Sequence, residues 1–193
     1  MKNQRLIQAI GDAAIPLMGY FWWNWSLYFI ALFFMLDVVF QTMVEYLKMK
    51  KSKGDVSKTN ALQWLFLTLA LIAVLHLLVL TQNESIQFLI EIWNFLKYTD
   101  LGGIPQGLIL FPLLALVNYQ RYKIEFLQPK LYERIHAQDI FLNYRIKLMY
   151  LLSFFCLLTG AAFFIPLPDA VILFIGAGVP LIFALLKNQL LSK

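Results

Sequence analysis

Five apolar stretches, Ser26–Val44, Ala61–Leu80, Ile104–Tyr119, Leu148–Ile165 and Ala170–Leu186, follow one another along the chain. A hydrocarbon core about 30 Å thick takes roughly 20 mostly apolar residues as a helix, because nothing there can hydrogen-bond an unpaired backbone. The pattern predicts one integral membrane domain over Met1–Lys193, an all-α polytopic bundle of about five spans. The third stretch is short and holds Pro105 and Pro112, and the fifth holds Gly176, Gly178 and Pro180. Only Pro166–Asp169 separates the last two, which predicts a tight antiparallel hairpin. Composition agrees: 61% of residues are hydrophobic and 14% charged, against roughly 25% charged in soluble domains.

Lys and Arg set the expected orientation. With the N-terminus outside, 13 of the 16 lie on inner segments, and Lys2, Arg5 and Lys97 alone lie outside. Such a bias places the N-terminus out and the C-terminus in. It also accounts for the net charge of +5 without direct nucleic-acid binding. Tyr20–Trp25 should then sit in the outer headgroup layer, with Pro16 and Gly19 breaking the helix ahead of the first span. A first segment re-entering from the inside would instead spare Lys2 and Arg5 the wrong side. No cleavable signal is expected at the N-terminus, where no apolar core precedes a small-residue cleavage site.

Two segments read as amphipathic. Residues 83–98 place Ile86, Ile90, Trp93 and Lys97 on one line, with Glu84, Glu91 and Asn94 opposite and Asn83 as N-cap. This predicts an outer interfacial helix or a lid on the bundle. Residues 130–147 predict a mixed-charge cytoplasmic helix entering the fourth span.

Polar residues inside the spans are the candidate site. Asp37, Gln41 and Glu45 recur every four residues and share one face of the first helix. Asp37 falls near mid-membrane, where a lone charge costs about 2.5–3.5 kcal/mol, so it needs a partner or must stay protonated. His76 is the other titratable group within a span, but it lies roughly 10 Å nearer the outer surface. Separate hydrogen-bonded contacts between helices are the plainer reading, and a proton or cation relay the sharper one. Thr159–Ala162 and Gly176–Gly178 read as small-residue packing surfaces between the last two helices.

Catalytic and metal motifs are missing from the sequence: no G-x-S-x-G, no phosphate-binding glycine loop, no H-E-x-x-H. Glu133, His136 and Asp139 recur at helical spacing but read as a solvated face. Cys156 has no second cysteine to pair with. The expectation is a non-enzymatic accessory or interaction protein of a bacterial inner membrane, with no cofactor. It would dock a soluble partner or anionic lipid through Arg121, Lys123, Arg134, His136 and Arg145. A homo-oligomeric pore lined by the Asp37 face is the alternative, and a lipid-modifying enzyme a further one.

The stretch Phe111–Phe126 ends an apolar run with Asn118, Tyr119, Arg121 and Tyr122. In this it resembles small uncharacterised bacterial polytopic membrane proteins, whose proline-containing span closes on Asn-Tyr-x-Arg-Tyr. In size and span count alone the chain is also similar to membrane accessory proteins of RNA-guided bacterial defence loci. The first resemblance implies a charged cytoplasmic helix and a terminal hairpin, and carries no activity.

Overall fold

A computed structural model describes residues 14–54, 58–97, 106–165 and 167–178. All regular structure among them is helical: α1 over 14–22, α2 Leu27–Lys51, α3 Lys58–Gln82, α4 Phe88–Lys97, α5 Gln106–Tyr122, α6 Ala137–Phe164 and α7 Asp169–Gly178. Three helices, Leu27–Lys51, Asn60–Gln82 and Ala137–Phe164, are long and apolar enough to cross a membrane. They contain the cores of the first, second and fourth stretches.

Local chemistry sets the helix ends. Asn24 is left-handed at φ 49°, which turns the chain sharply between α1 and α2. Ser26 caps α2 by accepting the Phe29 N–H at 3.1 Å, satisfying one of the free donors of its first turn. At the other end Lys48, Lys50 and Lys51 lie in the last turn, where cations suit the negative end of the helix dipole. The expected break at Pro16 and Gly19 falls elsewhere: the helix runs through both to residue 22, and the turn is at Asn24. Gly19 matters for space, because a Cβ there would enter the Trp25 ring.

Two amphipathic segments also differ from expectation. Asn83 does not cap a helix at 83. Its carboxamide oxygen instead accepts the N–H and hydroxyl of Ser85 in a local turn, and α4 begins at Phe88. Residues 130–147 are not one helix. Pro129 is followed by Lys130 in the left-handed region at φ 52°, a single 3₁₀ turn at Leu131–Glu133, and extended backbone at His136. Only from Ala137 does the chain become α-helical, and it stays so for 28 residues, about 42 Å. The segment ahead of that break is also irregular: five residues of π-helix, Lys123–Leu127, follow α5.

Packing is tightest between α3 and α6. Trp64, Leu71, Phe141 and Leu148 are almost wholly buried there, with the Trp64 indole stacked on Phe141 at 5.5 Å. Helix α6 runs antiparallel to α2, as Phe34 meets Phe155, Gln41 meets Lys147, and Lys53 bridges His136. The Ala137 N–H donates to the Lys53 carbonyl at 2.8 Å, so the α2 end and the α6 start lie at one pole. At the opposite pole α4 lies across α2 and α5. Phe95 packs on Phe29, and a Cβ on Gly107 would strike the Phe95 carbonyl.

The glycines of the last two helices do not form the expected close contacts. A Cβ at Gly160, Gly176 or Gly178 would meet nothing within 4 Å. Gly176 and Ala177 instead border an apolar cavity of about 70 Å³ between α2, α3 and α7. Residues 179–186 of the fifth stretch lie outside the described residues, as do those of the N-terminal dozen.

Candidate functional site

Asp37 lies ten residues into α2, about 15 Å from its start, and is half-buried. Two side-chain amides hold its carboxylate: Gln41 Nε2 donates to Oδ2 at 2.6 Å and Asn118 Nδ2 to Oδ1 at 2.9 Å. The Lys147 ammonium then donates to Gln41 Oε1 at 2.6 Å. A carboxylate on α2 thereby meets an amide on α5 directly and a cation on α6 through one glutamine. The opposite charges of Asp37 and Lys147 balance across it, the condition under which buried charge is tolerable.

Each partner is supplied by its helix. Gln41 stands one turn beyond Asp37, so it reaches back along the same face. Asn118 is 3% exposed and is anchored by its own Leu114 carbonyl at 3.0 Å. Lys147 is half-buried beside the Tyr144 ring, at 5.9 Å from its centroid.

A second polar knot lies one residue further along α2. Thr42 Oγ1 donates to the Val38 carbonyl and meets the hydroxyls of Thr68 at 3.1 Å and Tyr144 at 2.8 Å. It links α2, α3 and α6 where Trp64 Nε1 donates to the Phe141 carbonyl. Glu45 belongs to neither knot; Lys48 holds it at 2.6 Å in a half-exposed ion pair at the end of α2.

His76 lies near the other pole and is not paired with Asp37. Its Nδ1 is 2.9 Å from the Ile72 carbonyl and its Nε2 is 3.1 Å from the Tyr28 hydroxyl. The carbonyl can only accept, so Nδ1 carries the proton and Nε2 accepts from Tyr28. Tyr28 precedes Asp37 by nine residues, about 13 Å of helix, so the two titratable groups are separate sites.

The five expected docking residues divide. Lys123, Arg134 and His136 are exposed, and Lys50, Lys51, Lys53 and Lys130 join them at the same pole. Arg121 is half-buried at the end of α5, and Arg145 lies over the Phe141 ring at 5.4 Å with its Nε buried. Among the described residues no group of three His, Cys, Asp or Glu side chains is placed to hold a metal ion.

Sequence reading missed Asn118, Lys147, Thr42, Thr68, Tyr144 and Tyr28 as site members. Asn118 had a signal, as an amide inside an apolar run, but it read as an interface ending. Lys147 stands at the edge of the fourth stretch and counted as a loop charge. In comparisons with protein-family models, curated proteins and solved structures, nothing matches this chain.

Proposed function

We propose that this is a five-span bacterial inner-membrane protein, N-terminus out and C-terminus in, that works without catalysis as an accessory protein. Its working surface is the basic inner pole, which docks on anionic phospholipid headgroups. One observation carries this reading. The Lys53–His136 bridge draws two basic loops, separated by two helical passages, onto one end of the molecule. Six exposed bases there, Lys50, Lys51, Lys53, Lys123, Lys130 and Arg134, face three exposed acids, Glu125, Glu133 and Asp139. A base close to an anionic bilayer surface contributes about 1 kcal/mol.

Helix α5 with its π turn, 106–127, supports a fourth passage. It starts beside Phe95 at the α4 pole and ends where Phe126 meets Tyr132, whose ring lies under Lys51. The pore reading is disfavoured because Asp37 and Gln41 are engaged by Asn118 and Lys147 of the same chain.

Native mass spectrometry from mixed-lipid nanodiscs tests the docking. Wild type should retain phosphatidylglycerol over phosphatidylcholine, and the variant with all six exposed bases changed to Gln should lose that preference. Equal retention by both proteins would remove the reading. A soluble acidic protein bound by wild type and released by the variant, without lipid preference, would move the docking from lipid to protein.

A further inference from the structure

Arg145 is a cation set into the surface of α6 without an acid to meet it. Its guanidinium lies over the Phe141 ring at 5.4 Å, and that ring stacks on Trp64 of α3, so the side chain belongs to the α3–α6 seam. Nε is covered and meets no acceptor, and among the described residues no hydrogen bond or ion pair holds either Nη. The stem is thus pinned, and the two Nη groups reach the surface as an open fork. The charges nearby leave it open. Helix α3 has no Asp or Glu over its whole length, Lys58–Gln82. On α2, Asp37 is held by Gln41 and Asn118, and Glu45 by Lys48. Asp139 on α6 stands six residues ahead, about 120° away round the helix, and is exposed to solvent. Lys147, about 160° round the helix from Arg145, turns to α2 instead.

Depth and surroundings select the anion that suits this fork. Arg145 precedes the apolar stretch beginning at Leu148 by three residues, about 4.5 Å of helix. The headgroup layer outside a hydrocarbon core is about 5–7 Å thick on each side, so the guanidinium stands at the level of the lipid phosphates. Its neighbours one turn away on α6, Leu142 and Met149, are exposed and apolar, and α3 exposes Leu62, Leu65 and Phe66 over the same turns. An apolar rim of this kind suits the glycerol and acyl chains of a lipid better than a free anion in water. A phosphodiester offers a guanidinium two oxygens in parallel, the strong bidentate arrangement.

We propose that Arg145 binds the phosphodiester of one phospholipid, whose chains lie along the α3–α6 seam. The inference rests on this pole meeting a phospholipid surface, and it adds a site that recognises the phosphate and not the net charge. The six exposed bases favour anionic headgroups. Arg145 takes an anionic or a zwitterionic phospholipid alike, because both carry the same diester.

Native mass spectrometry of the full chain from nanodiscs separates the two. At an activation that strips the outer lipids, wild type should keep one phospholipid, phosphatidylcholine as well as phosphatidylglycerol, severalfold over diacylglycerol, which lacks the phosphate. Arg145→Gln should lose that lipid. Arg145→Lys, which keeps the stem and the charge but not the fork, should keep severalfold less of it. The variant with all six exposed bases changed to Gln should keep it as wild type does. Hydrogen-exchange protection in the α3–α6 core serves as the folding control. The site is overturned if wild type keeps no lipid, if well-folded Arg145→Gln retains it, if diacylglycerol is held equally, or if inorganic phosphate in the wash displaces it. One tightly held lipid in a wild type without preference for phosphatidylglycerol in its outer shell would remove the docking reading and leave the Arg145 site standing.

Discussion

At the level of single residues, the centre of the molecule depends on how Asp37 is satisfied. Replacing it with Ala removes the acceptor from Asn118 and the counter-charge from Lys147 together. Unfolding in mild detergent should show a loss of about 1–3 kcal/mol. Because the two charges compensate each other, Asp37→Asn combined with Lys147→Gln should cost less than the two single changes summed. Strict additivity would mean the glutamine bridge transmits no coupling. Tyr144→Phe is a milder test of the neighbouring hydroxyl knot, expected to cost about 1 kcal/mol in the same measurement. The Asp37–Gln41 pair was visible in the sequence because both sit on one helix, one turn apart. Its partners were not, since which faces of α5 and α6 turn toward α2 is decided by packing among helices that are apolar nearly all round. The separation of Asp37 from His76 follows from helix length alone, which sets the two residues at depths roughly 10 Å apart.

At the level of elements, the long helices were legible because about twenty apolar residues admit one solution in a bilayer. The joints between them were not. No propensity marks Lys130 for a left-handed conformation, and the helix start shifts from 130 to Ala137 because the Ala137 N–H finds the Lys53 carbonyl, a partner more than eighty residues away in sequence. The two lines on α4 left open which side packs inward: Phe88 and Phe95 are the residues that fit against Tyr28 and Phe29, and Ile90 and Trp93 stay exposed. The α4–α5 contact gives an element-scale test. Gly107→Val would push a side chain into the Phe95 backbone. Amides of α4 should then lose protection in hydrogen exchange while those of α3 and α6 keep theirs. Loss throughout would show that α4 and α5 are not a separable layer on the α3–α6 core.

At the scale of the whole molecule, the poles differ in chemistry. One carries the lysines of the α2 end, the π turn and the Lys130 corner; the other carries Trp22, Trp93 and the α4 helix. A bilayer holding this bundle sorts those ends, since bases are retained on the cytoplasmic side and aromatic rings gather at the interfaces. Cys156, exposed on α6 twenty residues from His136, about 30 Å along the helix, gives an internal marker. Single cysteines placed by Lys130→Cys and Ser85→Cys in a Cys156→Ser background report each pole separately. In intact cells a membrane-impermeant maleimide should modify position 85 and spare 130, and in inverted vesicles the preference should reverse. Native Cys156 lies toward the α4 pole but within the apolar length of α6, so the same reagent should leave it unmodified in intact cells until detergent is added. Labelling of positions 85 and 130 from one side would be incompatible with a membrane lying between α4 and the basic pole. The five-passage arrangement would fall, and with it the lipid-facing role of the six bases.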